Sequence, residues 1–211
     1  MSKYKCIIFD CDGVLVDSET IGNKVLVDMA NDLGAQIDLD YAMKHFKGGF
    51  LKGCFEQISK LTGLDIPETF EAEYRKRSFQ AFKEEIKPIK GVEKVLLNLK
   101  IPFCVASSGP ENKIRLNLKI TGLLPFFEGN IFSCYAIQKW KPEPDIFLWA
   151  SETMGFKPSE CLVIEDSVSG VKAAKSGGFD VFGYTEHDYN NELAALATKT
   201  FDDMHDLINM L

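Results

Sequence analysis

Two aspartates separated by one residue, Asp10 and Asp12, follow the stretch Tyr4-Lys5-Cys6-Ile7-Ile8-Phe9, and Gly13 comes next. The short apolar run of Cys, Ile and Phe reads as a strand buried on both faces. Acids at the end of such a strand are costly unless they are paired or hold a metal. In an open parallel sheet the carboxyl ends of the strands are where ligands bind. Three residues thus place a candidate nucleophile, a candidate proton donor and part of a metal site at one point. Further on, Ser107 follows a second apolar run, and Glu165 with Asp166 follows a third. Lys141 lies on a loop beyond another short strand.

These groups can meet only if the strands share a sheet. Apolar runs at Ile101 to Ala106, Asn130 to Ser133, Cys161 to Ile164 and Phe179 to Tyr184 read as strands. Helical patterns lie between them, from Val92 to Leu99, Glu111 to Lys119 and Asp145 to Met154. Another, rich in small residues, carries Val171, Ala173 and Ala174 and closes at Gly177-Gly178. A last helix is expected from Met204 to the end. Strands alternating with helices predict a parallel α/β sheet with right-handed crossovers.

Residues 18–85 break that alternation. Ser18 is placed to cap a helix from Glu19, in which Ile21, Val25, Met29 and Leu33 recur every four residues before Gly34. Helices are also expected over Leu39 to Phe46, Leu51 to Leu61 and Glu68 to Glu84. This predicts an all-helical cap domain, residues 18–85, inserted after the first strand of a core domain made of residues 1–17 and 86–211.

Composition limits the partners. The 211 residues are 45% hydrophobic, enough for a substantial core, and carry a net charge of −7. Nucleic acid or an anionic membrane is therefore not expected as a partner. An anionic substrate would need a local cation. The six cysteines form no CxxC pair and no zinc spacing, and several sit in apolar runs. With no signal peptide or long apolar span, the reducing cytoplasm is the expected setting. His45, His187 and His205 show no ligand spacing.

The strand-end groups, in this order, resemble the four signature elements of the haloacid dehalogenase-like hydrolases, over essentially the whole chain. A helical cap after the first element resembles the subgroup of sugar phosphatases and β-phosphoglucomutase. The resemblance implies an α/β fold with a Rossmann-like parallel-sheet core. It also implies a phosphoryl-transfer site. Asp10 would be the nucleophile that forms an aspartyl-phosphate. Asp12 would be the general acid and base, a contribution of roughly 10²–10⁴-fold. Asp10, the Asp12 carbonyl, Asp166 and Glu165 would hold Mg²⁺, which takes oxygen ligands in octahedral array. Ser167 and Ser169, at a helix start, would orient that shell. Ser107 and the Ser108 amide would hold phosphoryl oxygens, and Lys141 would neutralise charge on Asp10 and the phosphate. The cap would close over substrate and exclude water, hinged near Gly13 to Asp17 and Glu85 to Pro88.

Within that family, Gly22 stands where the mutases use a cap histidine, and the stretch from Lys47 to Lys52 lacks their cap arginine. Phe46-Lys47-Gly48, Ser108-Gly109-Pro110 with Asn112-Lys113, and Ile137-Gln138 with Trp140-Lys141-Pro142 resemble bacterial 6-phosphogluconate phosphatase-like enzymes. The expected substrate is a small phosphorylated sugar or sugar acid, 6-phosphogluconate among them. Lys47, Lys52, Asn112 and Lys113 are the candidates to contact its non-reacting end. A monomer is expected. The competing readings are a sugar phosphate mutase and a non-catalytic binding protein on the same fold.

Overall fold

A computed structural model describes residues 3–46, 51–188 and 190–211. In chain order these form β1 (Cys6–Phe9), α1 (Glu19–Asp32), α2 (Leu39–His45), α3 (Leu51–Thr62), α4 (Phe70–Glu85), α5 (Val92–Asn98) and β2 (Phe103–Ser107). Next come α6 (Glu111–Ile120), α7 (Leu124–Phe127), β3 (Ile131–Ser133), α8 (Cys134–Ile137), α9 (Asp145–Thr153) and β4 (Cys161–Glu165). The chain ends with α10 (Val168–Ser176), β5 (Asp180–Tyr184), β6 (Lys199–Phe201) and α11 (Leu207–Met210). They fall into two compact units, residues 1–17 with 87–211, and residues 18–86.

The first unit is a six-stranded, wholly parallel sheet in the order β3-β2-β1-β4-β5-β6. β1 is central because every one of its residues is fully buried, so neither face can meet water. Its alternate residues feed two layers. Cys6 and Ile8 join Cys104, Ala106, Cys161 and Val163 in a cluster covered by Ile146, Phe147 and Ala150 of α9 and Val171 and Ala174 of α10. On the opposite face Phe9 meets Phe103 and Phe127 edge-on, at centroid distances of 6.1 and 6.3 Å. The connections run outward to β2 and β3, then cross back to β4 on the other side of β1. That reversal puts the ends of β1 and β4 at the sheet's switch point, where a crevice opens for ligands.

The second unit is helical: α1 to α4, with no strand among its described residues. The four-residue stripe of α1 is buried at Ile21, Val25 and Met29, and Val25 and Met29 pack with Ala42, Phe46, Ile58 and Phe70. Asp38 caps α2 by accepting from the Tyr41 amide at 2.8 Å. Lys52 lies on α3, in a groove of this unit lined also by Phe55, Glu56, Lys60, Ile66 and Glu68. Lys47 lies outside the described residues.

Several local expectations change. Ser18 makes no side-chain cap; its backbone is already near-helical at φ −97 and ψ −20, not the extended geometry of a capping residue. β2 starts at Phe103, not Ile101. Pro102 has no N–H to give the ladder, although its carbonyl accepts from the Ile7 amide at 3.0 Å. The expected terminal helix is a single 3₁₀ turn, Met204–Asp206, followed by the four residues of α11. β6 and the one-turn helices α7 and α8 carry too little periodicity to be read from sequence.

Candidate active site

The first acid is placed by the sheet itself. The Asp10 amide still donates to the Ile164 carbonyl of β4, at 2.9 Å, so its backbone is ladder-fixed while its side chain leaves the strand end. The chain then turns tightly: the Leu15 and Val16 amides both donate to the Cys11 carbonyl, at 3.0 and 3.1 Å. Gly13 makes this turn possible on two counts. Its φ is +77, and a Cβ there would stand 2.2 Å from Asp166 Oδ2. Absence of a side chain at Gly13 is what lets Asp166, from the loop after β4, lie against the turn that carries Asp10 and Asp12.

Lys141 ties the strands together. Its side chain is only 4% exposed, and its ammonium donates to Asp10 Oδ1 at 2.7 Å, Glu165 Oε1 at 2.6 Å and the Ala106 carbonyl at 3.3 Å. Three protons therefore have three acceptors, drawn from the ends of β1, β4 and β2. The Phe147 ring of α9 lies 4.8 Å from Nζ and closes another side with a cation–π contact. Burial alone would push the lysine pKa down. The charges of Asp10 and Glu165 and their hydrogen bonds outweigh it, so the ammonium is held well above its ordinary range.

Glu165 is fully buried and has both oxygens engaged. Oε1 takes Lys141; Oε2 accepts from the Ser167 amide and hydroxyl, each at 2.9 Å. Ser167 Oγ in turn accepts from the Gly170 amide at 3.1 Å, which caps α10. Gly170 leaves room for the carboxylate, since a Cβ there would stand 1.8 Å from Glu165 Oε1. The sequence reading gives Glu165 to a metal. In the structure it also anchors Lys141, while an oxygen stays within 4.8 Å of ligand atoms of Asp10 and Asp166.

Asp10, Glu165 and Asp166 thus form a buried acidic cluster. Burial, with Glu165, Asp166 and Asp12 adding repulsion, raises the Asp10 pKa well above the carboxylate range despite Lys141. Such a cluster demands positive charge. Three hard oxygen donors whose ligand atoms lie within 4.8 Å of one another fit Mg²⁺.

Asp12 does not share that cluster by its side chain. Its two carboxylate oxygens each accept from Lys113 Nζ, at 3.0 Å. Lys113 stands in the first turn of α6, so the residue read as a substrate contact sits on the proposed acid and base. Ser107, buried, accepts from the Gly109 amide at 3.0 Å, which shapes the turn after β2. Ser108 is exposed, 4.0 Å by its hydroxyl from Cys134 Sγ. Asn112 is exposed, and its side-chain oxygen accepts from the Lys113 amide at 2.8 Å.

Sequence reasoning missed Ser133, whose hydroxyl donates to the Gly109 carbonyl at 2.7 Å and braces the Ser107 turn. It pairs with Ser107 in register at the end of β3, so a fourth polar strand end was the available signal. Phe147 and Gly170 carried no chemical signal. Their roles appear only once α9 and α10 pack on the sheet.

An open parallel sheet with a buried lysine linking carboxylates at two central strand ends defines an α/β protein with a site built around an acidic centre. Comparison with known proteins gives the family. A model described as haloacid dehalogenase-like hydrolase matches residues 4–178. A 6-phosphogluconate phosphatase of Escherichia coli K12 is 32% identical, covering 98% of this chain and 94% of that protein. A phosphorylated carbohydrates phosphatase of Thermotoga maritima is 28% identical, over 91% of this chain and 90% of its own. A conserved haloacid dehalogenase-like protein from Agrobacterium tumefaciens superposes with a TM-score of 0.93 at 30% identity, covering 98% and 97% of the two chains. The chain belongs to the haloacid dehalogenase-like hydrolases and is a phosphatase of that family.

Proposed function

We propose that this enzyme hydrolyses small phosphorylated sugars or sugar acids with Mg²⁺, through an aspartyl-phosphate on Asp10. The Lys141 bridge between Asp10 and Glu165, beside Asp166, is the observation that carries the reading. An Asp10 oxygen attacks phosphorus and the ester P–O bond breaks, with the electron pair leaving on the alcohol oxygen. Asp12 gives that oxygen its proton. Asp12 then takes a proton from water, the water oxygen attacks phosphorus, and the acyl-phosphate bond breaks to restore the Asp10 carboxylate.

Lys141 stays charged throughout and holds Asp10 aimed along one direction. Ser107 and the Ser108 amide are proposed to take the phosphoryl oxygens, and Lys141 to neutralise charge on Asp10 and the phosphate. Asp10, Asp166, Glu165 and the Asp12 carbonyl would hold Mg²⁺, which when bound supplies the charge that lets a dianion approach a carboxylate. Among the described residues no helix is long and apolar enough to cross a membrane. The substrate class comes from the relatives together with the cationic side chains at the site.

The test is phosphate release from a panel of sugar and sugar-acid phosphates. Turnover should require Mg²⁺, stop with chelator and fall by about 10³-fold or more in Asp10→Asn, which lacks the nucleophile. Isomerised phosphosugar in place of free phosphate would overturn the reading in favour of a mutase. Full turnover in Asp10→Asn, with deamidation excluded by mass, would overturn the role of Asp10.

A further inference from the structure

Two lysines reach the catalytic carboxylates, and they are held very differently. Lys141 is sealed in, with three acceptors and almost no exposure. Lys113 contacts both oxygens of Asp12, yet its side chain is 25% exposed and that of Asp12 20%. It stems from the first turn of α6 and passes beside Gly109, where a Cβ would lie 3.7 Å from both Lys113 Cδ and Asp12 Oδ2. Arg115, two residues further along α6, is held by Glu111 and Glu128.

The pairing is at odds with the work Asp12 has to do. To hand a proton to the leaving oxygen, one Asp12 oxygen must face that oxygen, and here both face the same ammonium. This part-buried pair is open to water on one side and costs less to open than the sealed contacts of Lys141. A carboxylate or second phosphate on the far end of the substrate offers the ammonium an equivalent partner; a neutral polyol does not. We infer that Lys113 selects phosphate esters bearing a second anionic group, because that group draws the ammonium off Asp12 and leaves the acid free to reach the leaving oxygen. The inference rests on the phosphatase reading and deepens it. Substrate identity then enters kcat as well as KM, since the wrong tail leaves the proton donor covered.

The experiment compares a sugar-acid phosphate, 6-phosphogluconate, with its neutral-tailed alcohol, sorbitol 6-phosphate, in wild type, Lys113→Met, Lys113→Gln and Lys113→Arg with saturating Mg²⁺. Wild type should favour the acid by about tenfold or more in kcat/KM, with part of the preference in kcat. Lys113→Met and Lys113→Gln should bring the ratio close to one, and Lys113→Arg should restore part of it. Thermal melts of the variants check that the fold is intact. A ratio kept in Lys113→Met, a wild-type ratio near one, or a preference confined to KM would overturn the inference while leaving the phosphatase reading in place. Failure of wild type to release phosphate from either ester and from p-nitrophenyl phosphate would overturn both.

Discussion

Adding one methyl group at Gly170 should disable the site from a distance. The Cβ of an alanine would fall 1.8 Å from Glu165 Oε1 and 1.9 Å from its carboxyl carbon. The carboxylate cannot rotate away cheaply, because Lys141 holds one oxygen and Ser167 the other, and the side chain is fully buried. Overpacking of this kind costs about 1–3 kcal/mol. Losing one charge-assisted hydrogen bond adds about 1.5–3 kcal/mol. The better helix propensity of alanine returns about 1 kcal/mol at most. A net loss centred near 3 kcal/mol corresponds to a Tm fall of roughly 6–12 °C in a chain of this size. Displacing Glu165 also frees Lys141 to turn from Asp10, so kcat should fall more than about tenfold. Gly53→Ala supplies the control, since Gly53 lies within α3 and a Cβ there meets nothing within 4 Å among the described residues. It should stabilise by about 0.5–1 kcal/mol. Thermal unfolding and phosphate release decide the matter. Wild-type Tm and turnover in Gly170→Ala would refute the claim that this glycine exists to seat Glu165.

Other outcomes follow from the same contacts. Lys141→Met leaves two buried carboxylates facing each other without their cation and should cost about 3–5 kcal/mol, read as a lowered urea midpoint; a change under about 1 kcal/mol would refute the buried network. Asp180 is held below its ordinary value of 3.8 chiefly by its bond to Lys3. Its contribution is therefore present above that value and lost as pH falls through the lower folded pKa. Stability measured below about pH 4 should decline less steeply in Asp180→Asn than in wild type, and parallel slopes would count against the pairing. All six cysteines are buried, and burial pushes Cys54 up to about 11. The folded protein should give no rapid reaction with a thiol-specific disulfide reagent, and six equivalents should react in denaturant; a fast native thiol would contradict the packing.

How much of this is visible in the sequence depends on range. β1 is legible because a central strand buried on both faces has to be an unbroken apolar run, and the acids that end it are conspicuous against that run. Asp10, Glu165 and Asp166 were readable as strand-end groups, and the structure brings them to one switch point. α1 is legible from its four-residue stripe. What stays hidden is the identity of long-range partners. Nothing in the spacing of Asp12 and Lys113, 101 residues apart, announces a shared ion pair. Nor does Gly170 differ in sequence from any small residue in a helix, since its meaning lies in the carboxylate it makes room for. Edge elements such as β6 escape because three residues, two of them exposed, leave no pattern of burial to read.

The charges of the site also argue for how a protein of net charge −7 can take an anionic substrate. Asp10, Asp12, Glu165 and Asp166 bring four carboxylates, and Lys113 and Lys141 return two positive charges. Two negative charges remain, the number a single divalent cation offsets, and with it the site is neutral before a phosphate ester arrives. Without that cation a phosphoryl dianion would be repelled by Asp10, the proposed nucleophile, and burial would magnify the repulsion. The raised pKa of Asp10 expresses the same imbalance from the protein's side. Lys141 cannot correct it alone, because Glu165 already claims part of its charge. On the proposed reading the acidic cluster would hold a cation, the sealed Lys141 would aim Asp10, and the part-buried Lys113 would answer to the substrate, so the three form one electrostatic arrangement.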